Sequence, residues 1–231
     1  MIPIKGLEKS SLIDYPGKVS AVVFLGGCNF RCPFCHNREL VLEAENLESV
    51  PEEEILDFLR EREKWLDGVV VSGGEPGIHP ELPGFLERLK GIGYAVKLDT
   101  NGTNPGMLKE ILDRGLVDSV AMDIKGPLSK YEKICEAPVD TRNISDSIRL
   151  IISSGVEHEF RSTVLPVLHT REDVLEMARM VKGARRFCLQ QFRPKNTLDQ
   201  KFLKERPFTD KEMKELQEMC SKYVETEVRM A

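Results

Sequence analysis

Short runs of β-branched and apolar residues alternate along this chain with amphipathic helical patterns, and no other feature narrows the fold as far. The pattern predicts strands over residues 19–25, 68–72, 94–98, 119–123, 159–165 and 186–191. Helical periodicity covers residues 51–64, 80–91, 105–114, 141–154 and 170–182, and a sixth helix over 209–223 follows the last strand. Pro51 with Glu52, Glu53 and Glu54 suits a first turn, and Asn104-Pro105 pairs a cap with a proline at the first helical position. Gly91, Gly115, Gly155 and Gly183 stand where helices should end. Continuous apolar strands joined by helices imply a parallel sheet covered by helices.

A closed eight-stranded barrel takes about 250 residues. Here 231 residues leave the first 18 and about the last 40 outside the pattern, so six βα units fit and eight do not. The expected fold is α/β, an open partial (β/α)6 barrel of parallel strands. One domain spans residues 1–231, with a lead-in over 1–18, a barrel core over 19–191 and a C-terminal extension over 192–231. Such sheets hold their ligand at the carboxyl ends of the strands. Residues that follow each strand therefore carry the functional information.

The net charge of −5 offers no electrostatic footprint for nucleic acid or an anionic membrane. The opening residues Met1-Ile2-Pro3-Ile4-Lys5-Gly6 lack the apolar core of a signal peptide, and no later run approaches a membrane span. A cytoplasmic location is expected, where thiols stay reduced and six cysteines read as metal ligands or buried apolar groups.

Three of those cysteines, Cys28, Cys32 and Cys35, directly follow the first strand in Gly26-Gly27-Cys28-Asn29-Phe30-Arg31-Cys32-Pro33-Phe34-Cys35-His36. Their spacing lets the thiolates converge on one metal centre. A structural zinc needs a fourth ligand, and the nearest candidate, His36, adjoins Cys35 too closely to share its ion. Cys32-Pro33-Phe34-Cys35-His36 also matches a haem-attachment pattern, which belongs to exported proteins, and a thioredoxin-like pair leaves Cys28 unexplained. A cubane cluster with three cysteine ligands accounts for the odd number and leaves one iron open. Cys135, Cys188 and Cys220 read as buried apolar residues. His79, His158 and His169 read as ordinary surface or helix-edge residues, and Met177, Met180, Met213 and Met219 as helix core.

Gly73-Gly74-Glu75-Pro76 follows the second strand, Asp99-Thr100-Asn101-Gly102 the third, and the fourth ends Ala121-Met122-Asp123-Ile124-Lys125. Asp123 and Lys125 lie two apart and share a face, with Ile124 on the other. Arg161 lies on the fifth strand, and Arg193 follows the sixth.

Together these elements resemble the radical S-adenosylmethionine superfamily, whose CxxxCxxC signature matches Cys28, Cys32 and Cys35. The resemblance implies that these cysteines hold a [4Fe–4S] cluster whose open iron chelates S-adenosylmethionine. It also implies that Phe34, His36, Gly73, Gly74, Glu75 and Pro76 line the cofactor, with Glu75 near its ammonium. Asp99 to Asn101 and Asp123 to Lys125 resemble the activases of glycyl radical enzymes. There the Asp-x-Lys pair contacts S-adenosylmethionine, Arg161 matches an arginine near its carboxylate, and Asp99, Thr100, Asp123 and the Ala121 carbonyl suggest a monovalent cation site. Pyruvate formate-lyase activases carry a histidine where Arg193 stands, so Arg193 is expected at the nucleoside. Asp14-Tyr15-Pro16-Gly17 is similar to the activase lead-in, and the chain resembles the longer activating proteins of anaerobic ribonucleoside-triphosphate reductase. No cysteine lies between Cys35 and Gly68, so a ferredoxin-like insert is absent. The implied partners are a glycyl radical enzyme as substrate and reduced flavodoxin or ferredoxin as electron donor. A radical enzyme acting on a small molecule or peptide, and a non-enzymatic electron carrier, are the alternatives.

Overall fold

The computed structural model describes residues 2–230. Its first strand, β1 (Ile4–Ser11), pairs antiparallel with β2 (Ser20–Leu25), and the cysteine loop follows β2. Helices α1 (Arg38–Leu42) and α2 (Glu52–Glu61) lead to β3 (Gly68–Gly73). Then come α3 (Leu82–Ile92), β4 (Ala95–Thr100), α4 (Pro105–Asp113) and β5 (Ser119–Asp123). Two helices, α5 (Tyr131–Cys135) and α6 (Thr141–Ser154), precede β6 (Glu157–Val164), which α7 (Arg171–Met180) joins to β7 (Phe187–Gln191). The chain closes with α8 (Asp210–Cys220) and β8 (Thr226–Arg229).

All eight strands form one sheet in sequence order, parallel from β2 to β8, and its two edges β1 and β8 do not pair. The six expected strands are present as β2 to β7. The expectation that both chain ends lie outside the sheet is corrected: the lead-in supplies β1 and the C-terminal extension supplies β8. The sequence Ile4-Lys5-Gly6-Leu7-Glu8-Lys9-Ser10-Ser11 carries few apolar residues, and β8 has only four residues. Edge strands bury one side at most, so they lack the apolar signal of central strands.

Local chemistry sets the helix ends. Asn104 caps α4 by accepting from Met107 N, and Thr170 and Thr209 close capping boxes on α7 and α8. Gly91 does not end α3. The helix runs to Ile92, and Gly93, at φ 112°, supplies the left-handed residue that closes it.

The helical side of the sheet packs an apolar core that includes Val23, Val71, Leu98, Phe160 and Leu189. The other side faces the inside of the partial barrel, where strands carry polar residues at alternate positions. Lys97 and Asp99, Glu159 and Arg161, and Cys188 and Gln190 follow this period of two. His158 and His169 are buried, not surface residues. His169 Nε2 meets the Lys125 carbonyl at 2.9 Å, while its Nδ1 accepts from Leu165 N at 3.3 Å. Burial lowers its pKa, which suits a neutral ring donating to that carbonyl. Met177 and Met213 are core, whereas Met180 packs at its edge and Met219 is half-buried.

Candidate functional site

The cysteine loop folds over the carboxyl ends of β2 and β3, held there by glycine contacts. Gly74 N donates to Leu25 O (2.9 Å) and Glu75 N to Gly27 O (2.8 Å). A Cβ on Gly74 would stand 2.0 Å from Gly27 O, and one on Gly73 (φ 129°) 2.2 Å from Leu25 O. Only glycine permits this approach. Pro76 opens a short 3-10 turn over Pro76–Ile78, and Asn37 Nδ2 ties the loop back to Gly73 O at 2.8 Å.

Glu75 is 1 % exposed. Its carboxylate accepts from Gly77 N (2.8 Å), Thr100 Oγ1 (2.7 Å) and Asn101 N (2.6 Å), which locks the loop after β3 to the loop after β4. Burial pushes its carboxyl up to about 7 despite those three donors. Asn101 continues the network to Asn29 Oδ1 at 2.8 Å, reaching the cysteine loop.

A chain of charges crosses the floor of the site. Lys97 Nζ pairs with Asp99 Oδ1 (2.5 Å), Arg161 with both Asp99 Oδ2 (3.2 Å) and Asp123 Oδ1 (2.9 Å), and Lys125 with Asp123 Oδ2 (3.0 Å). Register explains the chain. Asp123 lies opposite Arg161, and Ala121 lies opposite Asp99 with a side chain small enough to leave Arg161 its reach. Burial alone would raise Asp99 and Asp123, but Arg161, Lys97 and Lys125 beside them hold both carboxyls below the usual range. Lys125 is held above its usual range, since Asp123 and the thiols outweigh its burial. Ile124 points into the core, as the alternation requires.

The oxygens of Asp99 and Asp123 are thus taken by three cations, and Thr100 donates to Glu75.

Cys28, Cys32 and Cys35 line a cavity of about 420 Å³ together with Asp99, Asp123, Lys125 and Arg161. That volume suits a small organic ligand. Among the described residues, no three His, Cys, Asp or Glu side chains converge closely enough to hold a single ion. A four-iron cubane takes each thiolate at a different iron, so three thiols spread along a cavity wall fit a cluster. Burial pushes the Cys28 thiol up to about 12 and raises Cys35, while the Lys125 ammonium pulls both the other way. Cys32 is lowered, first by a hydrogen bond with the Cys135 thiol and further by Lys125. Bound iron would displace the remaining protons.

Most of the expected site residues meet here: Phe34, His36, Gly73, Gly74, Glu75, Thr100 and Asn101 all line the cavity. Pro76 is buried beside them. Arg193 does not join them. Its side chain is exposed and donates to Met230 O (3.3 Å), while its carbonyl meets His36 Nε2 at 2.9 Å. Sequence reasoning missed Ser72, Thr163 and Gln190, which also line the cavity. Polar residues spaced by two within apolar strands were their signal. Cys135 is fully buried, as expected, but it also packs against the cysteine loop, with its carbonyl accepting from Arg31 N at 2.8 Å. Cys135 sits 100 residues beyond Cys35 with no local pattern to link them.

The model of the radical SAM superfamily matches residues 22–181 of the chain. A Methanocaldococcus jannaschii protein, provisionally named a glycyl-radical enzyme activating enzyme, is 36% identical over 97% of this chain and 94% of its own length. Pyruvate formate-lyase-activating enzyme of Clostridium pasteurianum is 31% identical over 84% of this chain and 82% of its own. Among solved structures, Streptococcus suis SuiB bound to precursor peptide SuiA superposes with a TM-score of 0.72 over 90% of this chain at 14% identity. The chain spans about half of that structure (48%), so this likeness speaks for the fold alone. Family membership brings a [4Fe–4S] cluster and S-adenosylmethionine as cofactors. With its open parallel sheet and its cavity lined by three thiols and charged side chains, this chain belongs to the radical SAM superfamily and, within it, to the glycyl-radical enzyme activating enzymes.

Proposed function

We propose that the chain generates a glycyl radical on a partner enzyme, that this partner is an anaerobic ribonucleoside-triphosphate reductase, and that the reaction runs in the cytoplasm on electrons from reduced flavodoxin or ferredoxin. The observation that carries the reading is the placement of two cations in the cavity. Arg161 and Lys125 line it together with the three thiols, each ion-paired to Asp123 and Arg161 also to Asp99. These two cations favour the carboxylate of S-adenosylmethionine beside Cys28, Cys32 and Cys35.

When bound and reduced, the cluster supplies the electron that splits S-adenosylmethionine into methionine and a 5′-deoxyadenosyl radical, which takes a hydrogen atom from glycine. The chain's own residues do the rest. The three cysteines hold the cluster. Gly73 and Gly74 bring backbone close to the methionine ammonium, and Glu75 fixes their loop against Thr100 and Asn101. Arg161 and Lys125 orient the carboxylate, with Asp123 holding both cations in place. Phe34 and His36 cover the open side of the loop and limit access of water. The similarity of Asp14 to Gly17 with the activase lead-in supports a protein substrate.

Anaerobic reconstitution with iron, sulfide, reductant and S-adenosylmethionine, followed by addition of candidate glycyl radical enzymes, tests the proposal. Electron paramagnetic resonance should show a glycyl doublet with the reductase and matching release of 5′-deoxyadenosine. Turnover of a small molecule with no protein partner would overturn it.

A further inference from the structure

The chain as a whole is acidic, but the surface outside the cysteine loop is not. After β7 the backbone crosses the outer side of that loop through residues 193–206. Leu198 N donates to Cys35 O and Asp199 N to Pro33 O, each at 2.9 Å, and Asn196 Nδ2 donates to His36 O at 3.2 Å. This strip of backbone, irregular up to Asp199 and a 3-10 turn over Gln200–Lys204, therefore packs on the backbone of Pro33, Cys35 and His36.

This strip carries Arg193, Lys195, Lys201, Lys204 and Arg206 against only Asp199 and Glu205, in a chain of net charge −5. Arg206 is paired with Glu212 (3.1 Å), and Asp199 is occupied internally, accepting from Lys201 N at 2.9 Å. Among the described residues, the exposed ammonium groups of Lys195, Lys201 and Lys204 have no ion-pair partner. Leu203 lies between the last two lysines and is 43% exposed. Arg31, also exposed, adds a guanidinium held on the Cys28 and Phe30 carbonyls (2.6 and 2.8 Å).

An exposed apolar residue in a segment where three unpaired lysines outnumber the one unpaired carboxylate, Glu205, has the anatomy of a transient docking site. Its position adds a direction. The Leu198 amide is hydrogen-bonded to the carbonyl of Cys35 itself, so a group seated on the strip is linked to that cysteine by one hydrogen bond and a few covalent bonds.

We propose, resting on the cluster assignment above, that the strip 193–206 docks an acidic one-electron carrier protein and that electrons enter through Cys35. Lys195, Lys201 and Lys204 steer the carrier's acidic surface onto Leu203. One electron passes from the reduced carrier to the oxidised cluster, with no bond made or broken in this chain. Cations so placed raise the association rate at low ionic strength and lose that advantage as salt screens them.

The test uses the full chain carrying K195E, K201E and K204E, reconstituted with its cluster, and reduced flavodoxin as the probe. Dithionite, which needs no docking site, serves as the second reductant. With dithionite, the variant should release 5′-deoxyadenosine within about twofold of the parent. With flavodoxin at low salt, cluster reduction followed by paramagnetic resonance should slow by about tenfold or more, the low end of the range for electrostatic steering. Added salt should slow the parent and leave the variant nearly unchanged. Equal flavodoxin rates in parent and variant would overturn the proposal. So would a variant that loses only the glycyl radical under dithionite, since the strip would then dock the substrate enzyme. If the glutamate variant assembles no cluster, the K195Q, K201Q and K204Q chain takes its place, with a smaller loss under the same criteria. A parent that releases no 5′-deoxyadenosine under dithionite would instead refute the cluster assignment.

Discussion

At Cys32 three influences meet: burial, the Cys135 thiol beside it and the Lys125 ammonium. Cys32→Ala removes one corner of the cluster's support, so the variant should neither assemble a cluster nor release 5′-deoxyadenosine. Visible absorbance and product chromatography check both outcomes, and full activity would remove Cys32 from the ligand set. Asp123 acts differently, through the two cations that it holds. Asp123→Ala leaves Arg161 and Lys125 without one partner each, while Arg161 keeps Asp99 at 3.2 Å. Breaking a buried pair costs ~3–5 kcal/mol. Asp123 is 30% exposed, so a loss of about 1–3 kcal/mol is expected here. S-adenosylmethionine binding should weaken by about tenfold or more, equivalent to 1.4 kcal/mol, with the cluster spectrum unchanged. Equilibrium binding measured beside that spectrum separates the two effects.

Elements place these residues by close approach and by register. The loop after β3 rests on the cysteine loop through Gly74, whose missing Cβ leaves room for Gly27 O. Gly74→Ala should therefore push the two loops apart, at about 1–3 kcal/mol for the overpacked contact. Iron content after reconstitution should fall while circular dichroism stays close to that of the parent. At the far edge, β8 contributes Arg229, which holds the buried carboxylate of Glu159 through two bonds (2.6 and 3.2 Å). It also contributes Glu227, which is 44% exposed and pairs with Arg186 at 3.1 Å. Arg229→Ala leaves the buried Glu159 carboxylate only its longer contact to Arg186 Nε (3.8 Å) and should cost about 1–3 kcal/mol, whereas Glu227→Ala removes a surface pair worth ~0–1 kcal/mol. Urea unfolding of both variants would show whether β8 is a structural edge, and equal losses would contradict that view. Neither edge strand was legible beforehand, because a strand with one hydrogen-bonded neighbour does not need an apolar sequence.

Across the whole molecule, ionisable groups inside the barrel couple stability to pH in two opposed ways. Asp99 and Asp123 have folded pKa values below their unfolded ones. They stabilise the fold above the ordinary carboxylate range of about 4, and that contribution is lost as pH falls through their lowered values. Glu75 is raised from 4.5 to about 7, so its contribution is complete below 4.5 and is lost as pH rises through 7. Glu75→Gln should therefore flatten the stability profile of the cluster-free protein between pH 5 and 8, by an amount on the order of 1–3 kcal/mol. Denaturant unfolding at the two pH values measures it, and an unchanged slope would mean that Glu75 stays ionised on its three donors.

What could be read ahead of the structure were patterns that repeat within a few residues. β2 to β7 announced themselves through β-branched runs, α4 and α6 through caps and periodicity, and the site through chemistry at the carboxyl ends of strands. The cysteine loop is such a pattern, since its three thiols lie within eight residues. Other features depend on which strands lie side by side and in what register. Lys97, Asp99, Arg161 and Asp123 form a chain only because β4, β5 and β6 are neighbours with Asp123 opposite Arg161. Cys135 reaches Cys32, and residues 193–199 cover Cys35, only once the barrel has curved to bring distant segments together. His169 read as a surface residue until the fold buried it against the Lys125 carbonyl. Short-range order is encoded where it occurs, while contacts between distant segments arise from packing the entire chain.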